Sequence, residues 1–202
     1  MSQQEAADIE RTGISIGTTI KTKFMSRFIT EADTNGCYMI NSDITLSRIR
    51  VAAKFINRIG TKNLIVCSGV TKADMPIEKF CEMLGVKRLT GRFMPGTLTN
   101  PSLSYYIEPK LVLVTDPQID EQAVTEATNA GIPVIGISNT NNITSKLDII
   151  IPANNKGIRA LATVFWLLVR QILIEKGELK EDGKMQYEID EFETKMAEEA
   201  DI

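Results

Sequence analysis

Residues 111–138 read LVLVTDPQIDEQAVTEATNAGIPVIGIS and contain two short apolar runs on either side of an amphipathic segment. The runs Leu111 to Thr115 and Val134 to Ser138 lack polar alternation, which is typical of strands buried on both faces. The segment Asp120 to Ala130 has apolar residues at helical spacing and stops at Gly131. A strand, helix, strand order of this kind predicts a parallel sheet covered by helices.

The same alternation extends in both directions along the chain. Further apolar runs predict strands at Gly36 to Ile40, Leu64 to Ser68, Val86 to Leu89 and Leu147 to Ile151. Helices are predicted at Ile44 to Ile59, around Pro76 up to Gly85, and at Gly157 to Ile174. The first helix has Ser42 or Asp43 as a possible cap, and the last is apolar almost all round, which indicates a buried helix. The predicted fold class is α/β, a three-layer sandwich with a mostly parallel central sheet.

The chain has 202 residues, of which 43% are hydrophobic, so it is long enough for one compact domain with extensions. We assign residues 1–175 to an α/β core domain with an N-terminal extension. Residues 176–202 are acidic, and their apolar residues recur at helical spacing at Met185, Ile189, Phe192 and Met196. This spacing predicts an amphipathic helix or a tail that packs on its own domain or on a neighbouring protein.

Composition narrows the cellular compartment and the possible chemistry. No run approaches the roughly 18 apolar residues that a membrane-spanning helix needs, and Met1 to Glu10 are unlike a cleavable signal, so we expect a cytoplasmic protein. The widely spaced Cys37, Cys67 and Cys81 suggest neither a disulfide framework nor a metal site. Histidine is absent, which excludes a Ser-His-Asp triad and disfavours an enzyme.

The net charge of −3 conceals a division along the chain. Residues 175–202 hold 11 acidic and 4 basic side chains, whereas residues 12–92 hold 13 basic and 6 acidic side chains. A phosphate backbone responds to a local basic patch, because each cation that approaches it releases condensed counterions. Charge alone leaves two interpretations open, a nucleic-acid contact or an ordinary solvated surface.

Polar residues at the predicted strand ends leave an enzymatic hypothesis open. The sequence has neither the GxxxxGK motif of nucleoside triphosphate sites nor a GxGxxG between a first strand and its helix. Asp116, Ser138 to Thr140 and Ser68 to Val70 do follow strands, where a phosphosugar enzyme can hold a phosphate. Short polar residues also end strands in proteins without any ligand.

Residues 90–101 are the most unusual stretch, with two glycines, two prolines and little periodicity. Gly91 and Gly96 permit close approach of the backbone to a bulky group, while Arg92 and Phe93 offer a guanidinium and a ring. This loop either clamps a sugar-phosphate backbone or forms a rigid internal crossover.

The stretch Gly91 to Pro101, GRFMPGTLTNP, closely resembles the GRF-x-PGT-(L/F)-TN signature of the small-subunit ribosomal protein S2 family of archaea and eukaryotes. Further pieces similar to that family follow in order across residues 14–175: Ile16-Gly17-Thr18, Tyr106-Ile107-Glu108-Pro109, Val114-Thr115-Asp116-Pro117, Gly131-Ile132-Pro133-Val134, Ile151 to Gly157, and Trp166-Leu167-Leu168. The chain departs from the family pattern at Ser15, where histidine is frequent, and at residues 41–47 and 68–74.

The resemblance implies a flavodoxin-like or Rossmann-like sheet and a structural role in the small ribosomal subunit. It implies binding to small-subunit ribosomal RNA near the junction of head and body, beside neighbouring ribosomal proteins, with roles in late subunit assembly and translation. No catalytic residue, cofactor, metal or small-molecule substrate is expected. The alternative is a phosphosugar-binding or isomerase-like enzyme on the same scaffold.

Positions that match this interpretation are predicted to contact RNA phosphate or sugar: Thr18, Lys21, Lys23, Arg27, Arg48, Arg50, Lys54, Arg58, Arg92 and Thr97. Positions 50, 54 and 58 are four residues apart, so they fall on one helical face and present a row of cations. For each of these residues, a solvated surface position is the alternative.

Overall fold

A parallel five-stranded sheet forms the centre of the molecule in the computed structural model, which describes residues 11–180, 183 and 185–194. Its strands, in spatial order, are β4 (Lys87–Thr90), β3 (Leu64–Ser68), β5 (Leu111–Val114), β6 (Val134–Ser138) and β7 (Ile149–Pro152). Each neighbouring pair is parallel. The sandwich fold predicted from the sequence is confirmed.

The N-terminal part of the described chain forms a separate antiparallel pair, β1 (Ile29–Ala32) and β2 (Tyr38–Ile40). The predicted strand at Gly36 to Ile40 is therefore wrong as a member of the central sheet. The connection is a tight turn in which the Asp33 amide donates to the Cys37 carbonyl over 2.7 Å, and Gly36 adopts φ 77°. A turn this short can join two antiparallel strands, whereas two parallel strands must be joined by a longer crossover.

The helix that follows this pair, α1, spans Ser42–Ile59. Its N-cap is Asn41, whose Oδ1 accepts from the amides of Asp43 at 2.9 Å and Ile44 at 3.2 Å. The prediction of Ser42 or Asp43 as the cap was therefore wrong by one or two positions. Asn41 is the residue with extended backbone, and this places its side-chain oxygen below the first free amides of the helix.

Three more α-helices complete the described layers: α2 (Asp74–Leu84), α3 (Glu121–Asn129) and α4 (Ile158–Lys176). α4 is buried along most of its length, as its apolar composition predicts, and it packs against α1, α2 and the sheet. The rings of Phe80 on α2 and Phe165 on α4 meet edge to face at 5.6 Å between centroids. None of the helices within the described residues is long and apolar enough to cross a membrane.

The two faces of the sheet are covered differently. Alternate strand residues such as Leu64 and Val66 pack under α1, α2 and α4. Their neighbours Ile65 and Cys67 face α3 and residues from the 91–110 connection between β4 and β5. The third layer of the sandwich is therefore one helix and a long irregular loop, because the crossover from β4 to β5 contains no helix.

Residues 185–194, here called the acidic strap, run back along α4 and α2. Phe192 is fully buried, the Trp166 Nε1 group donates to the Tyr187 carbonyl over 2.9 Å, and the Thr194 hydroxyl donates to the Lys72 carbonyl over 2.7 Å. The predicted amphipathic helix is reduced to the 3-10 turn Ile189–Phe192. Met196 lies outside the described residues, and the domain boundary at residue 175 stays a prediction.

We expect Phe192→Ala to destabilise the fold, because removing this ring leaves a cavity between the strap and the main core. The loss is about 3–5 kcal/mol of unfolding free energy, the usual range for a buried phenylalanine. The measurement is thermal and denaturant unfolding followed by Trp166 fluorescence. Ile20→Ala, at a side chain that is 65% exposed, is the control and stays close to wild type. Equal stability of Phe192→Ala and wild type would contradict the packing of the strap.

Candidate nucleic-acid interface

The outer face of α1 carries a row of cations. Ile49, Ala53 and Ile56 of this helix are buried against α4 and the sheet, while Arg50, Lys54 and Arg58 are exposed. Four residues of helix rise about 6 Å, so the three cations form an evenly spaced line. The Lys54 Nζ lies 3.9 Å from a Glu175 carboxylate oxygen. This pair is weak because the Lys54 side chain is 68% exposed.

Residues 21–28 bring further cations to the start of the same helix. The guanidinium carbons of Arg27 and Arg48 lie 4.8 and 5.6 Å from the centroid of the Phe28 ring. The Asn41 amide donates to the Phe28 carbonyl over 2.9 Å, which ties this segment to the cap of α1. The face of an aromatic ring attracts cations, so Phe28 gathers two arginines that are far apart in sequence.

A second ring holds the next cation along the N-terminal segment, since the Lys21 Nζ lies 4.7 Å from the Tyr38 ring centroid. Lys23 between these groups is exposed. We call the resulting surface the basic ridge, defined as Lys21, Lys23, Arg27, Arg48, Arg50, Lys54 and Arg58. Within the residues that the structure describes, only Lys54 of the ridge has a carboxylate within 4.0 Å.

Thr18 is half-buried and bonded within the protein, and its contact with RNA stays a prediction. Its hydroxyl donates to the Ile20 carbonyl over 2.9 Å and lies 2.9 Å from the Thr140 hydroxyl, which also accepts from the Thr18 amide. A Cβ on Gly17 would lie 2.4 Å from the Tyr38 carbonyl oxygen, so the backbones approach closely there. These contacts hold the N-terminal segment against the loop after β6 and thereby position the lysines that follow.

The loop at residues 91–101 is fastened by a buried carboxylate that the sequence analysis missed. Glu126 on α3 accepts from the amides of Gly96 at 2.7 Å and Leu98 at 3.2 Å, and from Gln122 Nε2 at 2.8 Å. Glu126 follows Ala123 by three residues and so falls on the apolar face of α3. The sequence alone does not reveal its role, because its partners are backbone amides of an irregular loop. Glu126 thus fixes the segment that replaces a helix on this face.

The hydrogen bonds also set the ionisation of this carboxylate. Burial acts to raise the pKa of Glu126, but the bonds from Gly96, Gln122 and Leu98 outweigh it, so the pKa is lowered. The ionised form is therefore the one that the folded loop stabilises.

Two predicted contact residues lie within this loop, away from the ridge. Thr97 is buried, and its hydroxyl donates to the Met94 carbonyl over 2.6 Å. Arg92 is exposed beyond β4, the strand at the opposite edge from β7. Four strand spacings of about 4.8 Å separate the two edges by roughly 19 Å, so the structure does not bring Arg92 to the ridge. Thr97 instead shapes the turn that follows Arg92.

The carboxyl edge of the sheet, where α/β enzymes bind ligands, is filled by buried polar side chains of the protein itself. Asp116 Oδ1 accepts from the Gln118 amide over 2.9 Å and from Asn142 Nδ2 over 2.8 Å. Asn155 Nδ2 donates to Asn142 Oδ1 over 3.1 Å. Asp116, Ser68 and Asn139, which the sequence analysis considered for phosphate binding, are thus engaged by groups of the protein itself, whereas the buried Ser138 Oγ has no hydrogen-bond partner among the described residues.

The Asp120 amide donates to the Asp116 carbonyl over 2.9 Å, and the Gly69 amide donates to Asp120 Oδ1 over 2.8 Å. Burial raises the pKa of Asp120 to about 6, although its hydrogen bonds oppose the shift. The Thr22 amide and hydroxyl donate to the carbonyls of Thr140 and Asn142, both over 2.9 Å. The N-terminal segment therefore covers part of the edge at which a ligand would enter.

These features define an α/β sandwich protein with a Rossmann-like sheet, a filled ligand edge and a cationic surface on one side. The sequence profile of ribosomal protein S2 matches residues 104–174. The small ribosomal subunit protein uS2 of Nitrosopumilus maritimus (strain SCM1) is 71% identical over 204 residues, covering 98% of this chain and 99% of that protein.

Two further archaeal proteins of the same description are similar over most of the chain. The uS2 of Cenarchaeum symbiosum (strain A) is 59% identical over 187 residues, 93% of this chain and 90% of that protein. The uS2 of Staphylothermus marinus is 48% identical over 183 residues, 91% of this chain and 83% of that protein. The chain belongs to the ribosomal protein S2 family. It is a structural protein of the small ribosomal subunit and not an enzyme, so the alternative of an isomerase-like enzyme is wrong.

We expect Glu126→Gln to loosen the 91–101 loop, because the amides of Gly96 and Leu98 lose an ionised acceptor. Hydrogen exchange at these two amides should accelerate, by an amount corresponding to about 1–3 kcal/mol of local stability. Since the pKa of Glu126 is lowered in the fold, this contribution is complete above the pKa of the unfolded chain and is lost as pH falls through the folded pKa. The difference between variant and wild type should therefore shrink in acid.

Glu121→Gln on the exposed side of the same helix is the matched control and leaves the loop exchange unchanged. Exchange rates in Glu126→Gln equal to those of wild type at neutral pH would rule out the anchoring role.

Proposed function

We propose that the basic ridge holds this protein on small-subunit ribosomal RNA, near the junction of head and body, in the ribosome of the cytoplasm. In this position it supports late subunit assembly and translation, beside neighbouring ribosomal proteins. The observation that carries the proposal is the concentration of cations on and beside α1: Arg50, Lys54 and Arg58 form an exposed row along the helix, and Arg27 and Arg48 meet at the Phe28 ring. Membership of the ribosomal protein S2 family supports it.

Phosphate binding is the chemistry that the ridge favours. Arginine presents a planar fork that pairs with phosphate oxygens, and each neutralised phosphate releases condensed counterions. Arg50 and Arg58 are exposed without a carboxylate partner among the described residues, so they lose little when phosphate replaces water. Contacts of this kind fix position on folded RNA and depend little on base identity.

The aromatic contacts add order to the ridge before RNA binds. Arg27 and Arg48 are each held over Phe28, and Lys21 is held over Tyr38. A long side chain that already has a preferred direction loses less conformational entropy on binding. The ridge is therefore a partly preorganised surface and not a set of independent flexible cations.

The charge on the remaining faces gives the bound molecule an orientation. The acidic strap has four carboxylates and no cation, and it lies along α2 and α4. Repulsion from phosphates turns this face toward solvent or a protein neighbour, while α1 faces RNA. Arg92, at the opposite edge of the sheet, is free to meet a separate RNA strand.

We expect the combined variant Arg50→Gln, Lys54→Gln and Arg58→Gln to bind small-subunit RNA more weakly than wild type. Loss of three phosphate contacts should reduce the slope of log affinity against log salt by about 2–3, with affinity falling roughly 100-fold at moderate salt. The measurements are binding titrations over a salt series and co-sedimentation with small subunits in a gradient.

The matched control removes three exposed lysines from other faces, as Lys87→Gln, Lys110→Gln and Lys180→Gln. It carries the same net charge and should co-sediment like wild type. If both triple variants sediment with small subunits alike, the ridge is an ordinary solvated surface and the proposal fails.

A further inference from the structure

A second set of cations surrounds the acidic strap, on the side of the molecule away from α1. Lys72 lies two residues before α2 and Lys79 in its second turn, while Lys156 lies two residues before α4 and Arg159 is its second residue. The Lys72 Nζ donates to the Lys156 carbonyl over 3.4 Å, which brings the two helix starts together. The amino ends of helices carry partial positive charge, so the surface formed by Lys72, Lys79, Lys156 and Arg159, here called the groove, has the character of an anion-binding surface.

One carboxylate of the strap contacts one of these cations directly, and an aromatic ring of the strap contacts another. Asp190 Oδ1 lies 3.5 Å from Arg159 Nη2, and the Lys79 Nζ lies 4.3 Å from the Tyr187 ring centroid. The pKa of Lys79 is raised, first by its hydrogen bond to Glu82 and in part by the nearby charge of Glu191. The strap continues until the Thr194 hydroxyl reaches the Lys72 carbonyl.

The side chains that anchor the strap to the core are not the ones that carry its charge. Phe192 is fully buried, and Tyr187 and Ile189 pack against the main core. The carboxylates of Glu188, Asp190 and Glu191 are exposed, and Glu193 is half-buried. Charge can therefore be removed from the strap while the residues that hold it in place are kept.

We propose that the strap carboxylates occupy this groove in place of RNA phosphates and so confine RNA to the basic ridge. Exposed ion pairs such as Arg159 with Asp190 are individually weak. A tethered segment nevertheless stays at high local concentration, so it competes with any incoming polyanion. The strap thus determines which face of the protein RNA can use. This inference deepens the proposed function, since it takes RNA as the partner.

The test uses the full chain with Glu188→Gln, Asp190→Asn, Glu191→Gln and Glu193→Gln combined. Its probe is a short duplex RNA of unrelated sequence, titrated by fluorescence anisotropy over a potassium chloride series. Once the strap carboxylates are neutral, we expect the RNA to bind roughly tenfold more tightly at low salt. The slope of log affinity against log salt should become steeper by about 2–3. Trp166 fluorescence and thermal unfolding establish that the strap is still docked.

A control variant separates position from net charge. Glu31→Gln, Glu108→Gln, Glu121→Gln and Glu178→Gln remove the same four charges from exposed sites outside the strap. The inference predicts a clearly smaller gain for this control. Adding Lys72→Gln, Lys79→Gln and Arg159→Gln to the neutral strap should abolish the gain. An equal gain in the control, or a neutral strap that binds like wild type, would overturn the inference.

Two further variants keep the outcome interpretable. Asp190→Asn alone removes the ion pair with Arg159 and leaves the buried anchors of the strap in place. It should raise the affinity for the duplex RNA about twofold. No rise is expected if the strap does not shield the groove. The neutral strap is also combined with the ridge variant Arg50→Gln, Lys54→Gln and Arg58→Gln. Persistence of the gain there supports the inference even if the ridge itself proves dispensable for subunit binding, and disappearance of the gain contradicts a separate groove.

Discussion

The burial of α4 is the interaction on which the rest of the molecule depends. A parallel sheet must be covered on both faces, and α4 covers the centre of one face while it also packs against α1, α2 and the acidic strap. The helix therefore separates two charged surfaces, since α1 presents cations on one side and the strap presents carboxylates on the other. The other face of the sheet is covered by α3 and by the loop that Glu126 holds.

The spacing of apolar residues was enough to predict most of the fold, because strands that are buried on both faces appear in the sequence as short, uninterrupted apolar runs. β3 and β6 match their predicted bounds, and the remaining central strands shift by one or two residues. The exception is β2, which pairs within a hairpin because pairing partners depend on turn geometry and not on apolar content. Residues 90–101 were recognised from the sequence as a shaped loop, but the role of the loop as a substitute for a helix depends on its contacts with Glu126, a residue distant in sequence.

The candidate interface was predicted in part. The row of Arg50, Lys54 and Arg58 follows from helical spacing alone, and the structure places it on an exposed face. Whether a cation is gathered or isolated depends on tertiary contacts such as those at Phe28, and the sequence carries no signal for them. The same limit applies to Thr18 and Thr97, whose hydroxyls suit sugar contacts by type but are used within the protein. The acidic segment was expected to form an amphipathic helix or a tail, and in the structure residues 185–194 pack on the core through one aromatic anchor, Phe192, with a single 3-10 turn.

The central claim is that the α1 side of this protein lies against RNA in the assembled subunit. Amine-reactive labelling of intact small subunits and of the free protein, quantified by mass spectrometry, tests it most directly. The account predicts that Lys21, Lys23 and Lys54 lose most of their reactivity on assembly, while Lys87, Lys110 and Lys180 retain theirs. Equal reactivity of Lys54 in both states, together with protection of the second group, would contradict it.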